Sequence, residues 1–405
     1  MTNSVSDSAS NKKTIAAFFA GVGGIELGFE QTGEFRVVYA NEFDKNAQIT
    51  YELNHDVVLD KRDIKEVKEN EVPVTNVVMG GFPCQAFSIA GYRKGFEDDR
   101  GDLFFDLLRI INANSPEVIF LENVKNMVGH DHGNTFKVIR EALVMNGYFI
   151  KWKVLNGKDY GNVPQNRERI YIVGFRNKKA FEEFEFPGKI DLEQTIHDII
   201  DFELQVDERY YYTKEKQTFY PILEKEINSH DTVYQWRRQY VRENMSGVVP
   251  TLTANMGTGG HNVPLIYTND KRIRKLTPRE TFNAQGYPKD FKLPDISNGQ
   301  LYKQAGNSVV VPVIRRIAEN IHKAIENNPV EEQNSLELIG AYSLIFVDIQ
   351  KKFEGSSYVE GYFDSYEELK SYIDQYDIEL LSDEEYINFI KKDRSGKFHM
   401  IEHTF

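Results

Sequence analysis

The sequence predicts an α/β fold in which a mostly parallel sheet carries helices on both faces. Residues 14–176 alternate short apolar runs, which end in glycine or polar residues, with amphipathic segments of helical period. This alternation is typical of βαβ units, which build a parallel sheet. Because such sheets bind ligands beyond the carboxyl ends of their strands, the residues that follow each run are the first candidates for a functional site.

Each predicted element rests on its own stretch of sequence. Strands are predicted at TIAAFFAG (14–21), FRVVYANE (35–42), NVVMGG (76–81), EVIFLEN (117–123) and RIYIVGF (169–175). A further short strand is expected to end at Asp63. Helices are predicted at 102–114, 135–147 and 307–328, where apolar side chains recur every three or four positions.

The sequence divides into regions of different character. Residues 1–13 are polar and are expected to form a disordered leader. The α/β domain is assigned to 14–188 and 301–328, and a small irregular domain, rich in Tyr, Arg, Thr and Gly, to 189–300. Residues 335–405 are expected to form an α+β extension with two helices, because Ser365 with Glu368 and Ser382 with Glu385 have the spacing of capping boxes.

Composition limits the classes of protein that the chain can belong to. The 405 residues include one cysteine, which favours a reducing, cytoplasmic location, and no apolar run is long enough to span a membrane. Summed over the whole chain, the net charge of −13 argues against nucleic acid as a partner. However, residues 330–405 hold 17 Asp and Glu against 7 Lys and Arg, so most of the negative charge lies in the extension.

A glycine-rich turn follows the first predicted strand. Gly21, Gly23 and Gly24 would let a ligand approach the backbone, but Glu26 stands where a dinucleotide fingerprint has its third glycine. Glu42 ends the second strand about 20 residues on, where an acid can bind ribose hydroxyls. The pattern favours a ligand that carries a nucleoside without a pyrophosphate, although a tight structural turn would use the same glycines.

The lone cysteine lies directly after a predicted strand. Most single cysteines are inert and buried, but Cys84 is set in the loop-like sequence GGFPCQAFS. Glu122 ends the next strand, and Arg167 and Arg169 open a further one, so these side chains can reach one pocket. A thiolate with a neighbouring carboxyl group and guanidinium groups suits attack on an electron-poor ring.

Five sequence blocks together resemble a known family. FAGVGG, GGFPCQAFS, ENVKN, QNRERIYIVGF and YKQAGNSVVVPV are similar, in order and spacing, to the motifs of the bacterial C5-cytosine DNA methyltransferases of restriction-modification systems. The resemblance covers roughly residues 14–328. It implies a Rossmann-like methyltransferase sheet, S-adenosylmethionine as the cofactor with S-adenosylhomocysteine as its product, and no metal ion.

The resemblance also implies roles for individual residues. Cys84 would attack C6 of a cytosine that is flipped out of the duplex, Glu122 would hold or protonate N3, and Arg169 would contact the base oxygen. Arg167 would help to position the loop that carries the thiol, or the backbone. The residues implied to bind the cofactor are Phe19, Gly21, Gly23, Gly24, Glu42, Phe43, Asp63, Ile64, Pro83, Leu103 and Asn307.

The implied partner is double-stranded DNA, bound by a monomer, with no membrane involved. Region 189–300 would recognise the target, and its segments 234–244 and 270–279 are locally basic, the first with interleaved aromatic residues. The extension 335–405 lies outside the resemblance and is expected to be an appended packing domain; the alternatives are a site for a protein partner or a segment that limits non-specific DNA binding by charge repulsion. The residues expected to contact DNA are Gln85, Ser88, Arg237, Arg238, Arg242, Thr251, Gly257, Gly259 and Gly260.

The resulting hypothesis is a sequence-specific DNA cytosine-5 methyltransferase that protects host DNA in the bacterial cytoplasm, where it would act at the nucleoid. One alternative is a tRNA cytosine-5 methyltransferase, since a eukaryotic branch of the family methylates RNA with the same motifs. A second is a catalytically silent DNA-binding protein, which the presence of Cys84, Glu122 and Arg169 disfavours. A nicotinamide oxidoreductase fails on the missing third glycine.

Overall fold

The computed structural model describes residues 12–83, 103–256, 263–329, 340–351, 353–382, 385 and 396–403. Within these residues the main sheet has ten strands, in the order β14-β12-β13-β6-β7-β5-β4-β1-β2-β3. Its strands are β1 (Lys13–Phe18), β2 (Phe35–Asn41), β3 (Leu59–Asp60), β4 (Val77–Gly80), β5 (Val118–Val124), β6 (Phe149–Asn156), β7 (Glu168–Phe175), β12 (Tyr342–Lys351), β13 (Glu354–Phe363) and β14 (Lys397–Glu402).

The first five strands form the parallel part of this sheet. β1 pairs in parallel with β2 and β4, β2 with β3, and β4 with β5. β7 runs antiparallel to both β5 and β6. Since parallel strands point the same way, the carboxyl ends of β1, β2, β4 and β5 share one edge, as the alternating sequence pattern predicts. The predicted fold class is confirmed.

Helices lie on the main sheet, in region 189–300 and in the extension. Among the described residues they are α1 (Gly24–Glu30), α2 (Lys45–Asn54), α3 (Leu103–Asn114), α4 (Asn134–Met145), α5 (Gly157–Tyr160), α6 (Lys178–Glu183), α7 (Ile196–Ile199), α8 (Tyr220–Glu226), α9 (Pro278–Asn283), α10 (Asn298–Asn307), α11 (Val311–Asn327) and α12 (Tyr366–Gln375). None of them is long and apolar enough to cross a membrane.

The core lies on both sides of the parallel strands. β1 alternates its side chains between two apolar clusters: Ile15 points to one and Phe18 to the other. α11 buries Ile314, Ile317 and Ile321, which recur every three or four residues and form its apolar stripe. This stripe belongs to the same cluster as Ile15, so the return helix packs on the first domain, as its sequence predicts.

Region 189–300 contains a second sheet that the sequence does not reveal. Its four antiparallel strands, in the order β11-β10-β8-β9, are β8 (Tyr234–Trp236), β9 (Val241–Glu243), β10 (Pro264–Tyr267) and β11 (Ile273–Lys275). Strands of three or four residues are too short to show an alternating pattern, which is why the region reads as irregular. The domain boundaries stay predictions.

Two features of the main sheet differ from the sequence prediction. β3 ends at Asp60, and Asp63 instead begins the 3₁₀ turn Ile64–Glu66, where its carboxylate accepts the N–H of Lys65 at 3.1 Å. β6 is absent from the sequence prediction. Two other 3₁₀ turns, Glu69–Glu71 and Glu208–Tyr210, and the longer 3₁₀ segment Lys125–Gly133 complete the described elements.

The extension continues the main sheet rather than standing beside it. β13 pairs with β6, and β12 and β14 follow outward. α12 begins at the predicted cap, where Ser365 Oγ accepts the N–H of Glu368 at 3.2 Å. The second predicted cap is also present, because Ser382 Oγ accepts the N–H of Glu385 at 3.1 Å, but the rest of that helix lies outside the described residues.

Candidate active site

A cavity of about 400 Å³ opens at the carboxyl ends of β1, β2, β4 and β5. This is the edge where the topology predicts a ligand site. The residues that line it come from these strand ends, from α1 and α2, from the start of β7 and from the chain around α10. They are Phe19, Ala20, Gly21, Val22, Gly24, Ile25, Glu42, Asp44, Ala47, Gly81, Phe82, Pro83, Glu122, Asn123, Val124, Arg169, Lys303, Gln304, Gly306, Asn307, Ser308 and Val309.

The turn after β1 has the backbone geometry that its glycines predict. Gly21 has a φ of 57°, in the left-handed region that favours glycine, and Phe19 occupies the same region at 53° although it carries a side chain. A non-glycine residue in this region is strained, and such strain concentrates at functional sites. At Gly24 a Cβ atom would lie 2.4 Å from Tyr287 Oη, so the start of α1 has no room for a larger residue.

Glu42 is held in place by two backbone groups. The N–H of Gly21 donates to Oε2 at 2.7 Å, and the N–H of Asp44 donates to Oε1 at 2.6 Å. Burial raises the pKa of this carboxyl group, while the two backbone hydrogen bonds oppose the rise. Each oxygen has a second lone pair, so a fixed carboxylate in the cavity wall can accept further hydroxyl donors.

Glu122 and Arg169 form the charged pair of the cavity. Arg169 Nε lies 3.0 Å from Glu122 Oε1, and both side chains are almost fully buried. Strand pairing in the sheet brings the two side chains together, since β5 and β7 are neighbours and Val124 stands opposite Arg169. Burial raises the pKa of Glu122, and the positive charges of Arg169 and Arg167 oppose this rise.

The loop after β4 contributes to the lining of the same cavity. Asn123 Nδ2 donates to the carbonyl oxygen of Phe82 at 2.8 Å and so joins the end of β5 to this loop. Pro83, which precedes Cys84, lines the cavity. Cys84, Gln85 and Ser88 lie outside the described residues.

Arg167 is buried behind the cavity rather than in its lining. Its guanidinium donates to the carbonyl oxygens of Leu252 and Gly306, each at 2.8 Å, and to that of Ser308. It thus holds together the segment around Leu252 and the chain that carries Asn307. The role that the resemblance implies for Arg167 stays a prediction.

The residues expected to bind the cofactor fall into two groups. Phe19, Gly21, Gly24, Glu42, Pro83 and Asn307 line the cavity. The remainder lie elsewhere: Phe43 is 66% exposed, Ile64 is buried in the core, and Leu103 packs against that core at the start of α3. Gly23 caps α1, and Asp63 caps its 3₁₀ turn.

Sequence reasoning missed an ion pair at the rim of the cavity. Lys303 Nζ lies 2.5 Å from Asp44 Oδ2, and both residues line the cavity. Neighbouring Gln304 accepts a hydrogen bond from Thr50 at 2.8 Å and donates to the carbonyl oxygen of Asn46 at 2.9 Å. The block YKQAGNSVVVPV contains Lys303 and Gln304, but only contacts across more than 250 residues identify their partners.

The described residues that are expected to contact DNA are all exposed and all lie in region 189–300. Arg237 and Arg238 occupy the turn between β8 and β9, and Arg242 is exposed on β9. Thr251 is exposed, and its hydroxyl donates to the carbonyl oxygen of Asn166. Gly257, Gly259 and Gly260 lie outside the described residues.

Comparisons with known proteins agree with this geometry. The family model for C-5 cytosine-specific DNA methylase matches residues 14–323. The Type II methyltransferase M.Bsp6I of a Bacillus species is 64% identical over 312 residues, which cover 77% of this chain and 99% of that relative. The Type II methyltransferase M.HhaI of Haemophilus parahaemolyticus is 40% identical over 324 residues, which cover 77% of this chain and 94% of that relative.

A solved structure shows the same fold. The crystal structure of Spodoptera frugiperda DNMT2 superposes with a TM-score of 0.60 at 19% identity, over 77% of this chain and 100% of that chain. The family match covers most of the chain, from the glycine-rich turn to α11. The chain therefore belongs to the C-5 cytosine-specific DNA methylase family and is a DNA cytosine-5 methyltransferase.

Proposed function

We propose that this enzyme methylates a cytosine within a specific DNA sequence, with Cys84 as the nucleophile and the Glu122–Arg169 pair as the group that holds the base. One observation carries the proposal. The cavity combines a glycine-rich turn and a fixed carboxylate, Glu42, with the buried Glu122–Arg169 pair in one lining. A nucleoside-bearing methyl donor and a target base could therefore meet in the same space.

S-adenosylmethionine would supply the methyl group from its sulfonium centre when it is bound. Glu42 suits its ribose, because both carboxylate oxygens are oriented by backbone N–H groups and keep capacity for hydroxyl donors. The left-handed turn at Gly21 removes side-chain bulk where a ligand meets the backbone. Phe19, Pro83 and Asn307, which line the same cavity, would complete the binding site.

Glu122 would act on N3 of the cytosine. Because burial raises its pKa, its carboxyl group keeps a proton to higher pH than an exposed glutamate does, and this proton can be shared with N3. Arg169 would orient the carboxyl group and contact the base oxygen. As the Cys84 thiolate forms its bond to C6, the electron pair of the C5–C6 double bond moves to C5, which can then form the new carbon–carbon bond.

The cycle closes by elimination. A base removes the C5 proton, the C5–C6 double bond re-forms, and the thiolate of Cys84 leaves C6. These steps require the ring to lie outside the base stack, because a thiolate must approach it from above its plane. Flipping the base costs a few kcal/mol, which contacts in the pocket would offset.

The DNA would lie across the face that carries the turn between β8 and β9. Arg237 and Arg238 are exposed in this turn, where they could contact phosphates or guanine edges. Because both relatives reported above are named Type II methyltransferases, we assign this chain to host protection in a restriction-modification system. A monomer acting in the bacterial cytoplasm is part of the same proposal.

A covalent-trapping experiment tests the mechanism. A duplex library that carries 5-fluorocytosine should form a stable adduct in the presence of S-adenosylmethionine, because fluorine cannot leave C5 as a proton does. Peptide mapping should locate the adduct at Cys84, and Cys84→Ser should form none. An adduct on another residue would overturn the assignment, and trapping on tRNA but not on duplex DNA would favour the RNA methyltransferase.

A further inference from the structure

The extension is part of the catalytic sheet. β13 pairs with β6 in a fixed register, in which Glu354 stands opposite Lys153 and Ser357 opposite Ile150. β6 in turn pairs with β7, which carries Arg169. Only two strands, β6 and β7, therefore separate the extension from β5, the strand of Glu122.

The extension also shares the main apolar core. Ile345 and Val347 of β12 are buried in the same cluster as Ile139 of α4 and Trp152 of β6. His399 of β14 reaches the same helix, with Nε2 3.0 Å from Glu141 Oε1, and both side chains are buried. These contacts fix the extension rigidly on the first domain.

The turn between β12 and β13 reaches the edge of the sheet that carries the cavity. The N–H of Val154 donates to the carbonyl oxygen of Phe353 at 2.9 Å, and Lys153 Nζ lies 2.7 Å from Glu354 Oε1. Lys125 Nζ lies 4.7 Å from the centre of the Phe353 ring, within the range of a cation–π contact. Lys125 is the third residue after Glu122.

Lys125 connects this turn with the charged pair. Its Nζ lies 2.8 Å from Glu168 Oε1. The carbonyl oxygen of Glu168 accepts a hydrogen bond from Arg169 Nη1 at 2.9 Å, and Arg169 Nε lies 3.0 Å from Glu122 Oε1. A continuous series of contacts therefore runs from the ring of Phe353 to the carboxyl group of Glu122.

We propose that Phe353 and Glu354 are positioning residues for methyl transfer, which hold Lys125 and the end of β6 so that Arg169 stays fixed against Glu122. The inference rests on the proposed role of Glu122. The family model matches residues 14–323, so Phe353 and Glu354 lie in a part of the chain beyond that match.

The test compares substitutions that differ only in where the side chain lies. Phe353→Ala and Glu354→Gln remove the contacts at the catalytic edge. Phe398→Ala removes a partly buried phenylalanine that packs on Phe346 within the extension, and Glu360→Gln alters a glutamate whose partner there is Tyr372. We expect the first pair to lower kcat about 3- to 30-fold with an unchanged KM for S-adenosylmethionine, and the controls to keep the wild-type kcat.

The pH profile provides a readout that a loss of stability would not move. The described charged and titratable groups around Glu122 are Arg167, Arg169 and Tyr171. The positive charge of Arg169 opposes the rise in the pKa of Glu122. If Arg169 is held less firmly in Phe353→Ala, this opposition weakens, the pKa of Glu122 rises further, and the alkaline fall of kcat should move to higher pH. Phe353→Tyr, which keeps an aromatic ring over Lys125, should restore the wild-type profile, and Phe353→Leu should not.

Equal losses of kcat in Phe353→Ala and Phe398→Ala, together with unchanged pH profiles, would show that Phe353 has only a structural role and would overturn the inference. If Phe353→Ala does not fold, two other measurements give the same test. One is the comparison of Phe353→Leu with Phe353→Tyr, and the other is the Glu354→Gln variant. Glu122→Gln in the same assay separates the two proposals, because a wild-type rate there would refute the role of Glu122 itself.

Discussion

Arg169 and Glu122 meet at 3.0 Å because two antiparallel neighbours, β5 and β7, bring them to the same edge of the sheet. An arginine next to a buried carboxyl group has two consequences. It limits how far burial raises the pKa of Glu122, and it fixes the direction in which the carboxyl group points. A carboxyl group with a raised pKa can share a proton with a heterocyclic base up to a higher pH than an exposed glutamate can.

The pH dependence of Glu122 gives the first prediction. A carboxyl group with a raised pKa is protonated at low pH and loses its proton as the pH rises through that pKa, so kcat should fall on the alkaline side. Glu122→Gln should slow methyl transfer about 10²- to 10⁴-fold and abolish this fall. Glu117→Gln, directly before the first residue of β5, is the control, and single-turnover rates across the pH range are the measurement. An unaltered alkaline limb in Glu122→Gln would contradict the assignment.

The second prediction concerns cofactor affinity. Glu42→Gln replaces one carboxylate oxygen with an amide nitrogen, which cannot accept the N–H of Gly21 or Asp44 or a ribose hydroxyl. We expect the Kd for S-adenosylhomocysteine to rise about 10- to 100-fold by isothermal titration calorimetry, as the loss of hydrogen bonds to a charged group implies. Glu52→Gln, at an exposed position on α2, should bind normally. Equal affinities in the two variants would place the ribose elsewhere.

The third prediction tests the space at the start of α1. Gly24→Ala would place its Cβ 2.4 Å from Tyr287 Oη and 2.7 Å from Ser308 Oγ, whereas Gly188→Ala meets no atom within 4 Å. The crowded variant should lose about 1–3 kcal/mol of unfolding free energy in urea, as overpacked sites do. Gly188→Ala should change the free energy by less than about 0.5 kcal/mol. A stable Gly24→Ala variant with normal cofactor binding would show that Tyr287 can move aside.

The fourth prediction concerns region 189–300. Arg274 and Glu280 form a buried pair with two hydrogen bonds of 2.8 Å, and Glu280 also accepts the N–H of Thr277. Glu280→Ala leaves the arginine charge buried, which costs about 3–5 kcal/mol in such pairs. Glu208→Ala removes the partner of Arg272 on the surface and should have little effect. Thermal unfolding of both variants is the measurement, and similar midpoints would contradict the argument.

The sequence predicts those strands and helices that show a local pattern of apolar residues. The parallel strands are buried on both faces and read as short apolar runs, and α11 shows its apolar stripe at helical spacing. Topology then places the residues after each run at one edge. The sequence accordingly predicts one site for Gly21 and Glu42 and one pocket for Glu122 and Arg169, and the structure shows all four in the lining of the same cavity.

The part that sequence misses depends on contacts between distant segments. β6 alternates lysines with apolar side chains, and only its pairing with β7 and β13 identifies it as an inner strand. Likewise, an acidic extension gives no sign of which sheet edge it will pair with. The partners of Arg167 and Lys303 lie 85 to 259 residues away, so no spacing rule reveals them.

Bisulfite sequencing of plasmid DNA from cells that express the protein tests the central claim most directly, with Cys84→Ala as the matched control. The account predicts cytosines that resist conversion at one recurring sequence with the wild-type protein and full conversion with the variant. Full conversion in both would contradict DNA cytosine methylation by this chain. Protection that persists in Cys84→Ala would keep the reaction and remove Cys84 as its nucleophile.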